Sequence, residues 1–122
     1  MNRIVLAGAL LGGTAVVLGA FGAHALRGVL SDQQLGWWQT AVQYQLWHAL
    51  ALLAVASLRP PRAGAIAGLL GGGELLFSGS LYLMALTDAR WLGAITPLGG
   101  GAMILGWLLF AWQAARMPRP PE

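Results

Sequence analysis

The sequence predicts an all-α fold in which four transmembrane helices pack as an antiparallel bundle. Of its 122 residues, 57% are hydrophobic and 9% are charged, against about 25% charged in soluble domains. The few charges divide the chain into four long apolar segments, Ile4–Leu26, Gln33–Leu58, Ala63–Thr87 and Trp91–Ala115. Each is longer than the roughly 20 residues with which a helix crosses a bilayer. We therefore expect an integral membrane protein with a single transmembrane domain, residues 1–116, and a disordered cytoplasmic tail, residues 117–122.

The arginines predict the orientation of the chain. Four crossings place both termini and the second loop on one side, together with five of the seven arginines. Arg27 and Arg90 lie on the other side, beside Asp32 and Asp88. Because arginine-rich short loops stay in the cytoplasm, we expect both termini to be cytoplasmic. The alternative is a cleaved secretory signal ending at Ala23-His24-Ala25, but the apolar run before this site is long for a signal.

The connections between the helices differ in length. The first, Ala25–Gln39, is the longest, and Ser31 is placed to cap a short interfacial helix between helices 1 and 2. Arg59–Arg62 contains two prolines, which end helix 2 and allow helix 3 to start. Thr87–Arg90 is similarly short, so helices 2, 3 and 4 are expected to be antiparallel neighbours.

Pro97 lies inside the fourth apolar segment. We expect helix 4 to begin near Trp91 and to bend at Pro97, because proline removes an intrahelical hydrogen bond. The alternative is a helix that starts at Pro97 with Thr96 as its cap. Such a helix, over residues 97–113, would be only about 17 residues long, which is marginal for a membrane span.

The 18 glycines predict close helix packing. Helix association in lipid depends on close backbone approach, which small residues four positions apart permit. The glycines in such rows, which we expect at helix contacts, are Gly8, Gly12, Gly19, Gly64, Gly68 and Gly72. On helix 3 the polar stripe Glu74, Ser78 and Tyr82 begins about 200° around the helix from Gly72. Because both faces favour protein neighbours over lipid, we expect a homo-oligomer.

Helices 2 and 3 carry the candidate polar site. Glu74 lies 12 residues after Arg62 and His48 lies 11 residues before Arg59, which places both about 16–18 Å from the cytoplasmic ends of their helices. A charge at such a depth costs about 3 kcal/mol on insertion scales. A His48–Glu74 pair would form a proton-linked site; the alternatives are a structural pair or a neutral Glu74 bonded to Ser78. The candidate set is His24, Tyr44, Gln45, His48, Glu74, Ser78 and Tyr82.

Several chemistries are not expected. The chain has no cysteine, which excludes disulfides and thiolate sites. His24, predicted to cap backbone carbonyls at the outer end of helix 1, and His48 lack the spacing of metal ligands. No second intramembrane carboxylate accompanies Glu74 for acid–base catalysis. The arginines lie at segment ends and not on one face, so nucleic-acid binding is not expected. We expect no catalytic residue, no metal and no cofactor.

Four blocks of the sequence resemble a known membrane family. They are Gly19–His24, Trp38–Leu50, Leu76–Tyr82 and Ile95–Gly100, followed by Gly106-Trp107. In this order and spacing the chain is similar to the family catalogued as domain of unknown function 423, which includes YgdD-like inner-membrane proteins. The resemblance implies a four-helix protein of the bacterial inner membrane and implies no biochemical activity. It points to His24, Tyr44, His48, Ser78, Tyr82, Thr96 and Pro97 as family-type positions, whereas Glu74 departs from the residues expected there.

The predicted function is that of a non-enzymatic integral membrane protein: a scaffold, an assembly partner or a component of membrane homeostasis. Its expected partners are membrane lipid and further copies of the chain. The alternative is a small oligomeric transporter or channel that uses the polar face of helices 2 and 3. A transporter predicts a continuous polar cavity to His48, whereas a packing protein predicts that Trp47, Tyr44 and Phe77 fill that region. A membrane enzyme would need a water-accessible site at His24.

Overall fold

The computed structural model describes all 122 residues and contains four long α-helices, one short 3-10 helix and no strand. The helices are α1 (Arg3–His24), α2 (Asp32–Leu58), α3 (Ala63–Thr87) and α4 (Thr96–Ala114), and the 3-10 helix Arg90–Ala94 leads into α4. Each of the four α-helices is long and apolar enough to cross a membrane if α4 is counted together with the 3-10 helix before it. The all-helical fold with four candidate membrane spans is therefore confirmed.

The helices pack in chain order. α1 lies on α2, α2 on α3, and α3 on α4, whereas α1 barely touches α3 and makes no backbone contact with α4. The array is thus open between α1 and α4. α2 and α3 are central and hold most of the buried residues, while α1 and α4 expose broad apolar faces. Exposed apolar faces of this extent are typical of surfaces that contact lipid.

The connection between α1 and α2 contains no separate helix, contrary to the prediction. Ser31 is a helix cap, but the helix that it caps is α2. Its hydroxyl accepts from the Gln34 N–H at 3.1 Å, and the Gln34 side-chain oxygen accepts from the Ser31 N–H at 3.0 Å. This reciprocal capping box satisfies two free donors and starts α2 at Asp32. The 27 residues of α2 span about 40 Å, which exceeds the thickness of the hydrocarbon layer. The first turns of α2 therefore extend beyond this layer and lie where we expected the short interfacial helix.

The start of α4 differs from the continuous, bent helix that we expected. The backbone over Arg90–Ala94 is a 3-10 helix, and α4 begins at Thr96 with Pro97 in its first turn. Proline is favoured there because the N–H that it lacks would have no intrahelical acceptor. Thr96 is not the cap of α4, because its hydroxyl lies 2.6 Å from the Ser80 hydroxyl of α3. The alternative start at Pro97 is correct to within one residue.

Three of the predicted packing glycines bring α1 close to α2. A Cβ on Gly8 would lie 2.9 Å from Leu53 Cδ2 and 3.1 Å from the Ala49 carbonyl oxygen. A Cβ on Gly19 would meet α2 at 3.2 Å, and one on Gly12 would lie 3.7 Å from Ala49. The absence of side chains at these positions therefore permits the close approach of the two helices.

The glycine row of α3 makes no contact inside the chain, contrary to the expected packing. A Cβ on Gly64, Gly68 or Gly72 would meet no atom within 4 Å. The α3–α4 contact lies one residue further along, where a Cβ on Gly73 would be 2.8 Å from the Gly99 carbonyl oxygen. Successive residues of an α-helix point about 100° apart, so Gly72 and Gly73 lie on different faces of α3. Gly68 and Gly72 instead line an open groove of about 440 Å³ between α1 and α3.

Candidate functional site

The side chain of Gln45 joins three helices. It lies on α2 and is 4% exposed. Its amide nitrogen donates to the Leu11 carbonyl oxygen at 3.0 Å and to the Thr14 hydroxyl at 2.7 Å, both on α1. Its oxygen accepts from the Tyr82 hydroxyl of α3 at 2.7 Å. Both amide protons and one oxygen lone pair are used, so this one side chain fixes how α1, α2 and α3 are rotated against one another.

Glu74 and Ser78 lie one turn apart on α3, and each is 1% exposed. The Ser78 hydroxyl is 2.8 Å from the Ala41 carbonyl oxygen of α2 and is also hydrogen-bonded to the Glu74 carboxyl group. A hydroxyl has one proton, and a backbone carbonyl only accepts. Both bonds therefore form together when Ser78 donates to Ala41 and a neutral Glu74 donates to Ser78. A neutral carboxyl group also avoids the cost of burying an unpaired charge.

The predicted His48–Glu74 pair is not formed. His48 Nδ1 lies 2.8 Å from the Tyr44 carbonyl oxygen, and the Trp107 indole N–H of α4 donates to His48 Nε2 at 3.0 Å. Because an indole N–H only donates, Nε2 carries the lone pair, and Nδ1 carries the proton that it donates to Tyr44. His48 is therefore a neutral imidazole with both nitrogens engaged. The rotation of α2 directs His48 toward α4 and away from Glu74.

Aromatic and apolar side chains line most of the space beside His48. Tyr44 packs on Phe77 with ring centroids 4.5 Å apart and on Trp47 with centroids 5.1 Å apart. The cleft that remains has a volume of about 200 Å³ and is bounded by Tyr44, His48, Phe77, Gly100, Met103, Ile104 and Trp107. Trp47 is 53% exposed, so Trp107 fills the position beside His48 that we expected Trp47 to occupy.

The seven predicted polar residues separate into three pairs and one isolated side chain. The pairs are Gln45 with Tyr82, Glu74 with Ser78, and Tyr44 with His48. His24 is exposed at the end of α1 and shares no hydrogen bond with the others. Only the Gln45–Tyr82 pair joins two helices, because Glu74 and Ser78 both lie on α3 and Tyr44 and His48 both lie on α2. The predicted residues therefore do not converge on one site.

The candidate polar site omitted several side chains that bond to another helix, namely Thr14, Gln34, Trp38, Ser80, Thr96 and Trp107. Of these, the family resemblance had singled out Thr96 as a family-type position. Trp38 illustrates them, because it is buried and its indole N–H donates to the Leu18 carbonyl oxygen at 2.9 Å. The signal available in the sequence was a donor within an apolar run, since a donor in lipid requires an acceptor. The spacing alone does not say which helix provides that acceptor.

The polar side chains at the helix contacts are hydrogen-bonded to one another or to backbone carbonyl oxygens. No buried side-chain nitrogen or oxygen lacks a hydrogen-bond partner, and no three His, Asp or Glu side chains converge. Backbone carbonyl oxygens of Leu11, Leu18, Ala41 and Ala85 accept several of these bonds. The arrangement can therefore stabilise one defined packing of the helices.

Comparison with known proteins places the chain among membrane proteins. A UPF0382 membrane protein of Bacillus subtilis, YwdK, is 45% identical over 121 residues, which cover 95% of this chain and 98% of the relative. A UPF0382 membrane protein of Staphylococcus epidermidis is 46% identical over 112 residues, 89% of this chain and 92% of the relative. The UPF0382 inner membrane protein YgdD of Escherichia coli is 40% identical over 108 residues, 85% of this chain and 82% of the relative.

The family itself follows from a match over most of the chain. Residues 18–100 match the family model described as a protein of unknown function, DUF423. No solved structure gives a significant match. The resemblance expected from the sequence blocks is confirmed, and the chain belongs to the DUF423 family of membrane proteins.

Proposed function

We propose that the chain is a non-enzymatic protein of the bacterial inner membrane that acts through helix packing, as a scaffold, an assembly partner or a component of membrane homeostasis. The observation that carries this proposal is the use of its buried polar groups. Gln45, Ser78 and Trp107 bond to neighbouring helices. Polar groups in lipid are stable only when paired, and pairing between helices fixes the shape that a scaffold presents to its partners.

The proposal includes an orientation and a partner. Both termini are proposed to be cytoplasmic, because their side of the membrane carries five of the seven arginines. The proposed partner, besides membrane lipid, is a second copy of the chain. Gly64, Gly68 and Gly72 open outward from α3 without a neighbour within 4 Å, and a row of small residues permits another helix to approach closely.

The competing proposal is a small oligomeric transporter or channel with a path along the polar face of α2 and α3. That proposal has less support, because Gln45, Glu74 and Ser78 are buried in the helix contacts. The cleft of about 200 Å³ beside His48 has a mainly aromatic and apolar lining. A conducting state would have to break several of the interhelical hydrogen bonds.

A flux measurement in proteoliposomes separates the two proposals. Purified protein is reconstituted into vesicles that contain a pH-sensitive dye, and a proton or potassium gradient is imposed. A packing protein is expected to leave the leak equal to that of protein-free vesicles, for the wild type and for Glu74→Gln alike. Flux above the protein-free level that falls in Glu74→Gln or Gln45→Leu would refute the packing proposal.

Engineered cysteines test the second copy, because the chain has no cysteine of its own. Gly68→Cys is expected to give a disulfide-linked dimer in native membranes treated with copper phenanthroline. Gly101→Cys is the matched control, because a Cβ at that position also meets no atom within 4 Å but lies on α4. Equal cross-linking of the two variants, or none at Gly68→Cys, contradicts a dimer through the α3 glycine row.

A further inference from the structure

Gln39 and Gln43 are exposed on α2 and make no hydrogen bond within the chain. They are one helical turn apart, about 6 Å along the axis, and both lie toward the α1–α2 end of the second candidate membrane span. They line one wall of a crevice of about 230 Å³ between α1 and α2, whose opposite wall is formed by Gly19, Gly22 and Ala23. The two amides therefore open into a space that this chain leaves unfilled.

An unpaired amide at membrane depth requires a partner, because lipid tails offer neither donors nor acceptors. Every fully buried side-chain nitrogen or oxygen of this protein has a hydrogen-bond partner. These two glutamines on one helix face thus differ from Gln45 of the same helix, whose amide is fully hydrogen-bonded within the chain. Any hydrogen-bond partner of these two amides must lie outside the chain.

Arg27 adds a positive charge at the mouth of the crevice. A smaller cavity of about 140 Å³, bounded by Gly22, Ala23, Arg27, Leu35 and Gln39, adjoins the first and shares three of its lining residues. The other arginine at this end of the molecule, Arg90, is engaged: its guanidinium lies 3.6 Å from the Asp88 carboxylate. Arg27 has no acidic partner within salt-bridge distance, so the crevice presents a free cation above two free amides.

We propose that this crevice binds one phospholipid with an anionic headgroup, in the leaflet at the α1–α2 connection. The order of the polar side chains along the crevice matches the order of the phosphate and ester groups along such a lipid. Arg27 lies beyond the end of α1, at the level of lipid phosphates, and a guanidinium binds phosphate through paired, charge-assisted hydrogen bonds. Gln39 and Gln43 follow deeper in the span, where their amide N–H groups donate to glycerol and ester carbonyl oxygens.

Charge favours a lipid over a second copy of the chain at this crevice. A two-fold axis along the membrane normal would bring the same residues of both copies to one level. The two Arg27 side chains would then approach each other, and their like charges would oppose the contact. A phosphate is attracted by the same group. The inference deepens the lipid partnership of the proposed function, and the flux measurement above succeeds or fails independently of it.

Native mass spectrometry tests the lipid site. Delipidated protein is titrated with phosphatidylglycerol, with phosphatidylcholine and inorganic phosphate as separate arms. We expect one phosphatidylglycerol per protomer, weaker binding of phosphatidylcholine and no binding of inorganic phosphate. Arg27→Gln and Gln43→Leu are each expected to weaken phosphatidylglycerol binding about tenfold or more. Arg27→Gln removes the charge that attracts the phosphate, and Gln43→Leu removes an amide that hydrogen-bonds to the lipid. Arg119→Gln removes the same charge at the opposite end of the chain and is expected to leave binding unchanged.

A second pair of variants tests the space itself. Ala23→Phe fills the crevice, whereas Ala9→Phe adds the same bulk to an exposed position at the other end of α1. Phosphatidylglycerol binding is expected to fall only in Ala23→Phe, with the helical circular dichroism of both variants unchanged. The site is refuted if Arg27→Gln and Gln43→Leu bind phosphatidylglycerol as the wild type does, or if the two phenylalanine variants lose it equally. Competition by inorganic phosphate would refute the lipid as the occupant.

Discussion

The Tyr82 hydroxyl donates a hydrogen bond to the Gln45 side-chain oxygen at 2.7 Å and thereby joins α3 to α2 across 37 positions of sequence. The amide nitrogen of the same Gln45 reaches Thr14 on α1. In lipid, apolar side chains gain little by exchanging acyl chains for one another, so packing and hydrogen bonds decide which helix faces meet. The Gln45 side chain is thus a determinant of how three of the four helices are arranged.

Tyr82→Phe is expected to lower the free energy of unfolding by about 0.5–2 kcal/mol, because Gln45 loses a hydrogen-bond donor at a buried position. Tyr44→Phe is the matched control, since the Tyr44 hydroxyl makes no hydrogen bond within the chain and its ring contacts with Phe77 are kept. Unfolding in mixed micelles, followed by circular dichroism, measures the difference. Equal losses in the two variants would show that the Tyr82–Gln45 bond contributes nothing specific.

The Glu74–Ser78 contact predicts a neutral carboxyl group inside the bundle. Glu74→Gln is expected to cost less than about 1 kcal/mol of unfolding free energy, because its amide N–H donates to Ser78 in place of the acid. Ser78→Ala is expected to cost about 1–3 kcal/mol, since it leaves the Glu74 donor without its acceptor.

The infrared difference spectrum between wild type and Glu74→Gln measures the protonation state directly. The wild type should show the carbonyl band of a protonated carboxylic acid at neutral pH, and this band should be absent from Glu74→Gln. A difference spectrum that contains only carboxylate bands would contradict the neutral assignment. In that case Ser78 donates to Glu74, and its 2.8 Å contact with the Ala41 carbonyl oxygen has no proton.

The Trp107–His48 bond fixes the tautomer of His48. We expect nitrogen-15 NMR of the protein in micelles to show a protonated Nδ1 and an unprotonated Nε2, because the indole N–H requires an acceptor at Nε2. Trp107→Phe removes the donor to Nε2 and is expected to shift the Nε2 resonance, while Nδ1 stays protonated because the Tyr44 carbonyl oxygen still accepts from it. His24, which is exposed on α1, is an internal reference in the same spectrum. An Nε2-protonated His48 in the wild type would exclude the bond.

The number and approximate ends of the helices were predictable because hydropathy is a local property of the sequence. A run such as Trp91–Ala115 crosses a membrane whatever its neighbours are. The capping residue Ser31 was likewise readable from sequence, but the length of the helix that it starts was not. The capping box of Ser31 and Gln34 marks a helix start, and it does not tell a short interfacial helix from the first turns of α2.

The contacts within the polar cluster were less predictable because spacing gives depth and leaves rotation open. His48 and Glu74 do lie at similar depth on adjacent helices, yet the rotation of α2 pairs His48 with Trp107, 59 positions away. The run Gly71-Gly72-Gly73 shows the same limit. Its members point in directions about 100° apart, and only the position of α4 selects Gly73 as the contact.

The α3–α4 interface predicts a large difference between two nearby glycines of α4. A Cβ on Gly99 would lie 2.6 Å from the Gly73 carbonyl oxygen, whereas one on Gly101 would meet no atom within 4 Å. Gly99→Ala is expected to cost about 1–3 kcal/mol of unfolding free energy, because the helices must separate. Gly101→Ala is expected to be neutral or stabilising by up to about 1 kcal/mol, through the helix propensity of alanine. Equal unfolding free energies of the two variants would contradict the close α3–α4 contact.

The four spans predict that the chain ends and the α1–α2 connection lie on opposite sides of the membrane, and the arginine distribution predicts that the chain ends are cytoplasmic. Single cysteines report this without background, because the native chain has none. Val29→Cys, at a position 73% exposed in the connection, is expected to react with a membrane-impermeant maleimide in intact spheroplasts. Glu122→Cys is expected to react only after lysis, since the side with five arginines is retained in the cytoplasm. Labelling of Glu122→Cys in intact spheroplasts would show that the orientation is the reverse of the proposed one. The proposed phospholipid site would then lie in the cytoplasmic leaflet.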